Sequence, residues 1–204
     1  MERLPNCPET CRLIRHLVIK LAPVILGEKP AGLLRLTNCR RLAGGKQFDL
    51  FCARQREILA ALRLECRILR RNSRNLVVLF FRQEILAAHL ARPETAEFLR
   101  ERNYIPGAEL TELACRCEDS TGEFPHEIGI FLGYPLKDVR GFLENPADCL
   151  TLPHGLWRVA GDPAESLEIM ARYRRAEHSI RIILDSGEPL AASLRKIHNT
   201  ARAA

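Results

Sequence analysis

The chain has 204 residues, 47% of them hydrophobic and 27% charged, a globular composition that excludes a disordered chain. No apolar run approaches the ~20 residues needed to span a bilayer, so the expectation is a protein with no membrane partner. The net charge of +6, from 31 Lys and Arg against 25 Asp and Glu, permits anionic or nucleic-acid partners without demanding them.

The first helix is predicted over 10–21, where Leu13, Ile14, Leu17, Val18 and Leu21 recur at the 3–4 spacing of one helical face. Residues 22–32 read as a loop punctuated by Pro23, Gly27, Pro30 and Gly32, and residues 33–37 as a short strand. A long helix is predicted from about 48 to 70, with Phe48, Phe51, Ile58, Leu62 and Leu69 on one stripe and arginines on the others. Residues 75–81 form a continuous β-branched and aromatic run, as expected of a strand buried on both faces. Helices follow near 82–91, 93–103, 107–117, 125–132 and 135–144. Residues 156–160 read as a third strand. Asp162 caps a last long helix over about 163–184, and the tail after about 187 is expected to be a short helix or a frayed, loosely attached end. Strands separated by helices predict one helix-rich α/β domain over 1–204, with a small, mostly parallel sheet flanked by helices.

The cysteines at 7, 11, 39, 52, 66, 115, 117 and 149 contain no C-x-x-C pair, and residues 1–7 lack an apolar signal core. Both point to a reduced, cytoplasmic protein. Gly44-Gly45-Lys46-Gln47 lacks the first glycine and the Ser/Thr of a phosphate-binding P-loop. Cys115 and Cys117 would diverge on a helix, which weakens a zinc or iron site built from them with His126 and Glu127. Cys39 is the best-placed thiol for a Cys-His nucleophilic pair, but nothing in the sequence brings it to His126.

The most unusual stretch is Phe124-Pro125-His126-Glu127-Ile128-Gly129-Ile130-Phe131-Leu132-Gly133-Tyr134-Pro135. Proline at a first helical position puts His126 and Glu127 in the first turn, where the helix dipole disfavours imidazolium. A neutral His126 suits a general base, a donor to an anionic ligand, or a metal ligand; Glu127 would orient it, bind a cation, or cap the helix. Ile130 stands where a zinc-protease helix needs its second histidine, so that motif fails. Gly129 and Gly133, four apart, let another segment approach that face. Residues 127–143 also have the spacing of a helix-turn-helix, with Val139 and Leu143 inward. Apolar Ile130 and Phe131 at positions that should face solvent, and only Lys137 and Arg140 to meet phosphates, favour a buried helical hairpin over a DNA reader.

The Phe124–Pro135 string, followed by Asp138-Val139-Arg140-Gly141-Phe142, resembles the signature of an uncharacterised bacterial family, a domain of unknown function. Ala22-Pro23 through Lys29-Pro30-Ala31 and Leu156-Trp157-Arg158-Val159 resemble its flanking elements, with Ala160 where an aromatic is usual. The resemblance spans residues 15–175. It implies an anaerobic bacterial setting and relatives linked to iron and flavodoxin functions, and it leaves Cys115 and Cys117 outside the pattern.

These readings converge on a protein that binds a small molecule or a metal ion, with iron as one candidate. Lys29, Tyr134 and Asp138 are expected to contact the ligand, and His126 and Glu127 to supply polar, catalytic or metal-ligating groups. The alternatives are a nucleic-acid-binding protein using 127–143 and an enzyme with His126 as general base. No cofactor and no oligomeric state can be read from the sequence.

Overall fold

The computed structural model describes residues 7–38, 46–73, 75–119 and 124–203. Cys39 and Gly44-Gly45, raised above as a nucleophile and a failed P-loop, lie outside them. The elements are α1 (Pro8–Lys20), α2 (Ala22–Ile25), β1 (Ala31–Thr37), α3 (Gln47–Leu62), β2 (Glu65–Arg71) and β3 (Asn75–Phe81). There follow α4 (Gln83–Leu90), α5 (Pro93–Glu101), α6 (Glu109–Asp119), α7 (Ile128–Phe131), α8 (Leu136–Glu144), a 3-10 turn (Pro146–Asp148), α9 (Ala164–Leu184) and α10 (Leu190–Ala203).

The fold is mixed α/β and helix-rich, but the sheet corrects the expectation. Among the described residues it has three strands in the order β1-β3-β2, and both pairings are antiparallel rather than mostly parallel. The physical reason is β2, which the sequence reading merged into one long helix over 48–70. Helix α3 ends at Arg63, which adopts the left-handed conformation (φ 53°), and the chain then turns back as β2. Phe51, Ile58 and Leu62 keep helical spacing and pack in one core, while Leu69, the next member of that stripe, is a strand residue in the other. A tight reversal joins β2 to β3, with Asn72 N donating to Asn75 O at 3.0 Å and Asn75 N donating to the Asn72 side chain at 2.7 Å. Two strands joined so closely can only be antiparallel. The strand expected over 156–160 is reduced to a single bridge, Leu150 to Val159.

Strand β3 is central, as its uninterrupted apolar run requires. Leu76, Val78 and Phe80 face a core formed with α1, α2, α3, α9 and α10, where Phe51 meets Phe80 edge-on at 5.7 Å. Leu79 and Phe81 face a second core formed with α4 to α8. The sheet therefore separates two helical layers. Helix α10 joins the first through buried Leu194 and Ile197, and His198 Nε2 donates to Ala61 O at 3.0 Å. Among the described residues no helix is long and apolar enough to cross a membrane.

Candidate functional site

Residues 125–135 form the tight turn and hairpin at the heart of the second layer. Before α7, Ile128 N donates to Pro125 O, Gly129 N to His126 O and Ile130 N to Glu127 O, a tightened entry that fixes 126 and 127. Gly133 then breaks the helix at φ 71°. A Cβ there would lie 2.6 Å from Pro30 Cδ and 2.8 Å from Tyr173 Oη; one at Gly129 would lie 2.9 Å from Val139 Cγ2 and 3.0 Å from Tyr134 Cδ2. The two glycines thus admit protein side chains.

His126 and Glu127 turn to different neighbours. The Glu127 carboxylate is buried, accepting from Tyr104 Oη at 3.2 Å and from Arg116 NH1 at 3.0 Å. Burial, and next the charge of Glu127, hold the Tyr104 phenol well above its ordinary range. His126 is exposed, its ring edge-on to Phe142 at 5.0 Å.

Asp138, 2% exposed, is a hub. Its carboxylate accepts from Ser166 Oγ (2.6 Å), Trp157 Nε1 (2.7 Å), Lys137 Nζ (2.8 Å) and Ala160 N (3.0 Å). Lys137 also donates to Ala160 O, Asp162 O and Ser166 Oγ. One of the two cations expected to meet a phosphate backbone is therefore committed to tying α8 to the 157–166 segment. Helix α7 lies inside, with Ile130 and Phe131 at 1% and 0% exposure.

Tyr134 stacks on Trp157 at 4.4 Å, and Trp157 leans toward Tyr173 at 6.2 Å. Tyr173 Oη donates to Gly133 O at 3.1 Å. On these rings rests Lys29, whose Nζ is 5.8 Å from the Tyr134 centroid and 5.3 Å from that of Tyr173. Burial pushes its ammonium down to about 8; the ring faces, which attract the cation, oppose that shift.

Beside the Tyr134–Trp157 stack opens a cavity of about 550 Å³. Phe124, Ile128, Leu132, Val139, Phe142 and Leu156 make its apolar wall; His126, Asp138, Arg35, Arg70 and Arg158 supply the polar groups. Of the five expected site residues, His126, Tyr134 and Asp138 line it. Lys29 stands behind Tyr134, and Glu127 faces Tyr104 and Arg116. The sequence reading missed Arg35, Phe142, Trp157 and Arg158. Trp157 carried a signal, being the only tryptophan in the chain. A second hollow of about 530 Å³ between α3, β2 and α4 has Arg63, Arg82, Glu65 and Glu84 of mixed sign and no aromatic wall.

Among the described residues no three His, Cys, Asp or Glu side chains gather where they would hold a metal ion. A model of the family described as "Protein of unknown function (DUF3793)" matches residues 17–193. The chain belongs to the DUF3793 family. This agrees with the resemblance to an uncharacterised domain family. No curated protein and no solved structure matches the chain. In this DUF3793 chain the three stretches that carried the resemblance meet in space: Lys29 and Pro30, Gly133 and Tyr134, and Trp157.

Proposed function

We propose that this DUF3793 chain binds an organic small molecule with a flat ring in the cavity beside Tyr134 and Trp157. The observation that carries this reading is the cavity itself, which has the size of a small-molecule site and an apolar and aromatic wall with few polar groups. His126 stands in the wall as a hydrogen-bonding group for the ligand. Asp138 serves the ligand by holding Trp157 through its indole N–H. Lys29 and Glu127 back the site from behind, Lys29 against the outer face of the aromatic cluster and Glu127 by tying its turn to α6.

The charges favour an organic ligand over a metal ion. A cation brought to His126 would meet Arg35, Arg70 and Arg158 in the same wall. The Glu127 carboxylate is already paired with Arg116.

Two fluorescent dyes with the same fused rings test the reading: anilinonaphthalene sulfonate, an anion, and phenylnaphthylamine, its neutral counterpart. At least one is expected to bind one per chain and quench Trp157. Leu156→Trp, at an exposed position of the wall, should weaken that dye at least roughly ten-fold by filling the space, read on dye emission. A folded wild-type chain that saturably binds neither dye would overturn the proposal.

A further inference from the structure

Opposed residues of neighbouring strands share a face of the sheet. Arg35 of β1 and Arg70 of β2 both pair with Val77 of β3, so one row across the sheet reads Arg35, Val77, Arg70. The bulge between Ile68 and Arg70 brings Arg70 into that row. Two strand spacings put the arginine backbones roughly 10 Å apart. The row lies on the same side as Leu79, and both arginines line the cavity. Arg158 enters the wall from the Trp157 side.

Among the described residues the wall carries more cations than carboxylates. The carboxylate that the described residues contribute, Asp138, is neutralised by Lys137 at 2.8 Å and bound by three further donors. The Arg35 side chain has no hydrogen bond and no carboxylate partner among the described residues. Arg158 spends one N–H on Cys149 O at 3.0 Å and likewise has no carboxylate partner among them. Arg70 is steadied by its Nε–H bond to Cys117 O at 3.1 Å and by Phe124, 4.3 Å beneath its guanidinium. Guanidinium groups present planar pairs of donors that match anionic oxygens, and beside an apolar wall they keep more of that attraction than they would in open water.

We infer that the ligand is an anion, a flat-ringed molecule whose carboxylate, phosphate or sulfonate is taken by Arg35 and Arg158 at the polar side of the cavity. The inference rests on the cavity being the binding site and names the chemical class of what it takes. The ring lies along the Trp157, Phe142 and Phe124 side, and the anionic group faces the sheet row.

The same two dyes separate this inference from the reading beneath it. At low salt the sulfonate is expected to bind wild type at least roughly ten-fold tighter than the neutral amine, the value of one good charge-assisted contact. Arg35→Gln with Arg158→Gln should reduce that preference, the ratio of the two dyes' affinities in the same protein, to less than about two-fold. High salt should reduce it likewise. If the neutral dye binds as tightly as the sulfonate, the anion is wrong and the cavity reading stands; if the preference survives in the double variant, Arg35 and Arg158 do not take the anionic group and the inference falls, while the cavity reading stands. If neither dye binds, both fall.

Discussion

Replacing Asp138 with alanine removes an acceptor that four donors share. A hydrogen bond to a charged group contributes about 1.5–3 kcal/mol, so four taken separately would give about 6–12 kcal/mol. They converge on one carboxylate and are not additive. Lys137 is also 35% exposed, keeps its bonds to Ala160 O and Asp162 O, and can be rehydrated. What remains is the cost of leaving the Trp157 indole N–H, the Ala160 N–H and the Ser166 hydroxyl short of an acceptor. Breaking a buried, hydrogen-bonded pair costs about 3–5 kcal/mol, and Asp138→Ala is expected near 4 kcal/mol. For a chain of this length that lowers Tm by about 8–16 °C. Asp138→Asn keeps one acceptor oxygen and loses the charge, and should cost about half as much. Urea unfolding followed by Trp157 emission and by far-UV circular dichroism measures both. A loss under about 1 kcal/mol for Asp138→Ala would refute the hub, and α8 would then be held by Val139 and its apolar neighbours alone.

Gly133→Ala meets both a positive φ and a 2.6 Å approach to Pro30, and should cost about 2–4 kcal/mol. Gly161→Ala, at φ 63° with open space around it, should cost only about 1 kcal/mol, so equal urea midpoints for the two variants would contradict the packing argument. The unfolded chain keeps the Lys29 proton up to its ordinary 10.5, whereas the folded chain releases it near 8. Burial of the cation therefore costs stability fully below pH 8. Wild type should gain on Lys29→Met as pH rises through that window, and parallel pH profiles would argue against a buried amine. His16, His89 and His198 are all held below the ordinary imidazole value, chiefly by burial. Below about pH 6.5 the unfolded chain takes up protons that the folded chain refuses, so the urea midpoint should fall between pH 7.5 and 5.5. His198→Gln should flatten part of that slope; an unchanged midpoint in wild type would contradict it.

The sequence read well wherever one element buries one face. The central strand β3 announced itself by its apolar run, α1 by its helical stripe and α9 by its Asp162 cap, because burial, periodicity and capping are local properties. Strand β2 was hidden because Glu65-Cys66-Arg67-Ile68-Leu69-Arg70-Arg71 continues the helical spacing of α3, and only the left-handed turn at Arg63 separates them. The sheet's direction followed that error, since a missing hairpin leaves strands separated by helices. The candidate site was half legible for a similar reason. Odd residues in odd turns drew attention to Lys29, His126 and Tyr134. Arg35, on an edge strand, looked like any exposed arginine, and its meaning depends on Arg70 lying two strands away.

Adjacent His126 and Glu127 suggested a single catalytic or metal-binding pair, and the backbone explains why they part. The tightened turn from Pro125 to Ile130 sends consecutive side chains in different directions. Glu127 goes to Arg116 on α6 and Tyr104 after α5, anchoring the turn to the second core. His126 is left against Phe142, in the wall of the cavity. Gly133 lets the Lys29–Pro30 loop press on the hairpin from one side, and Asp138 draws Trp157 onto Tyr134 from the other. The flat wall is thus fixed by contacts to three separate segments before any ligand arrives. A wall held this way loses little conformational entropy on binding. If the sulfonate dye does bind, the near-ultraviolet circular dichroism of Trp157 and Tyr134 should already be strong in the free protein and change little on saturation. A signal that is weak until the dye is added would mean that the stack forms only with the ligand.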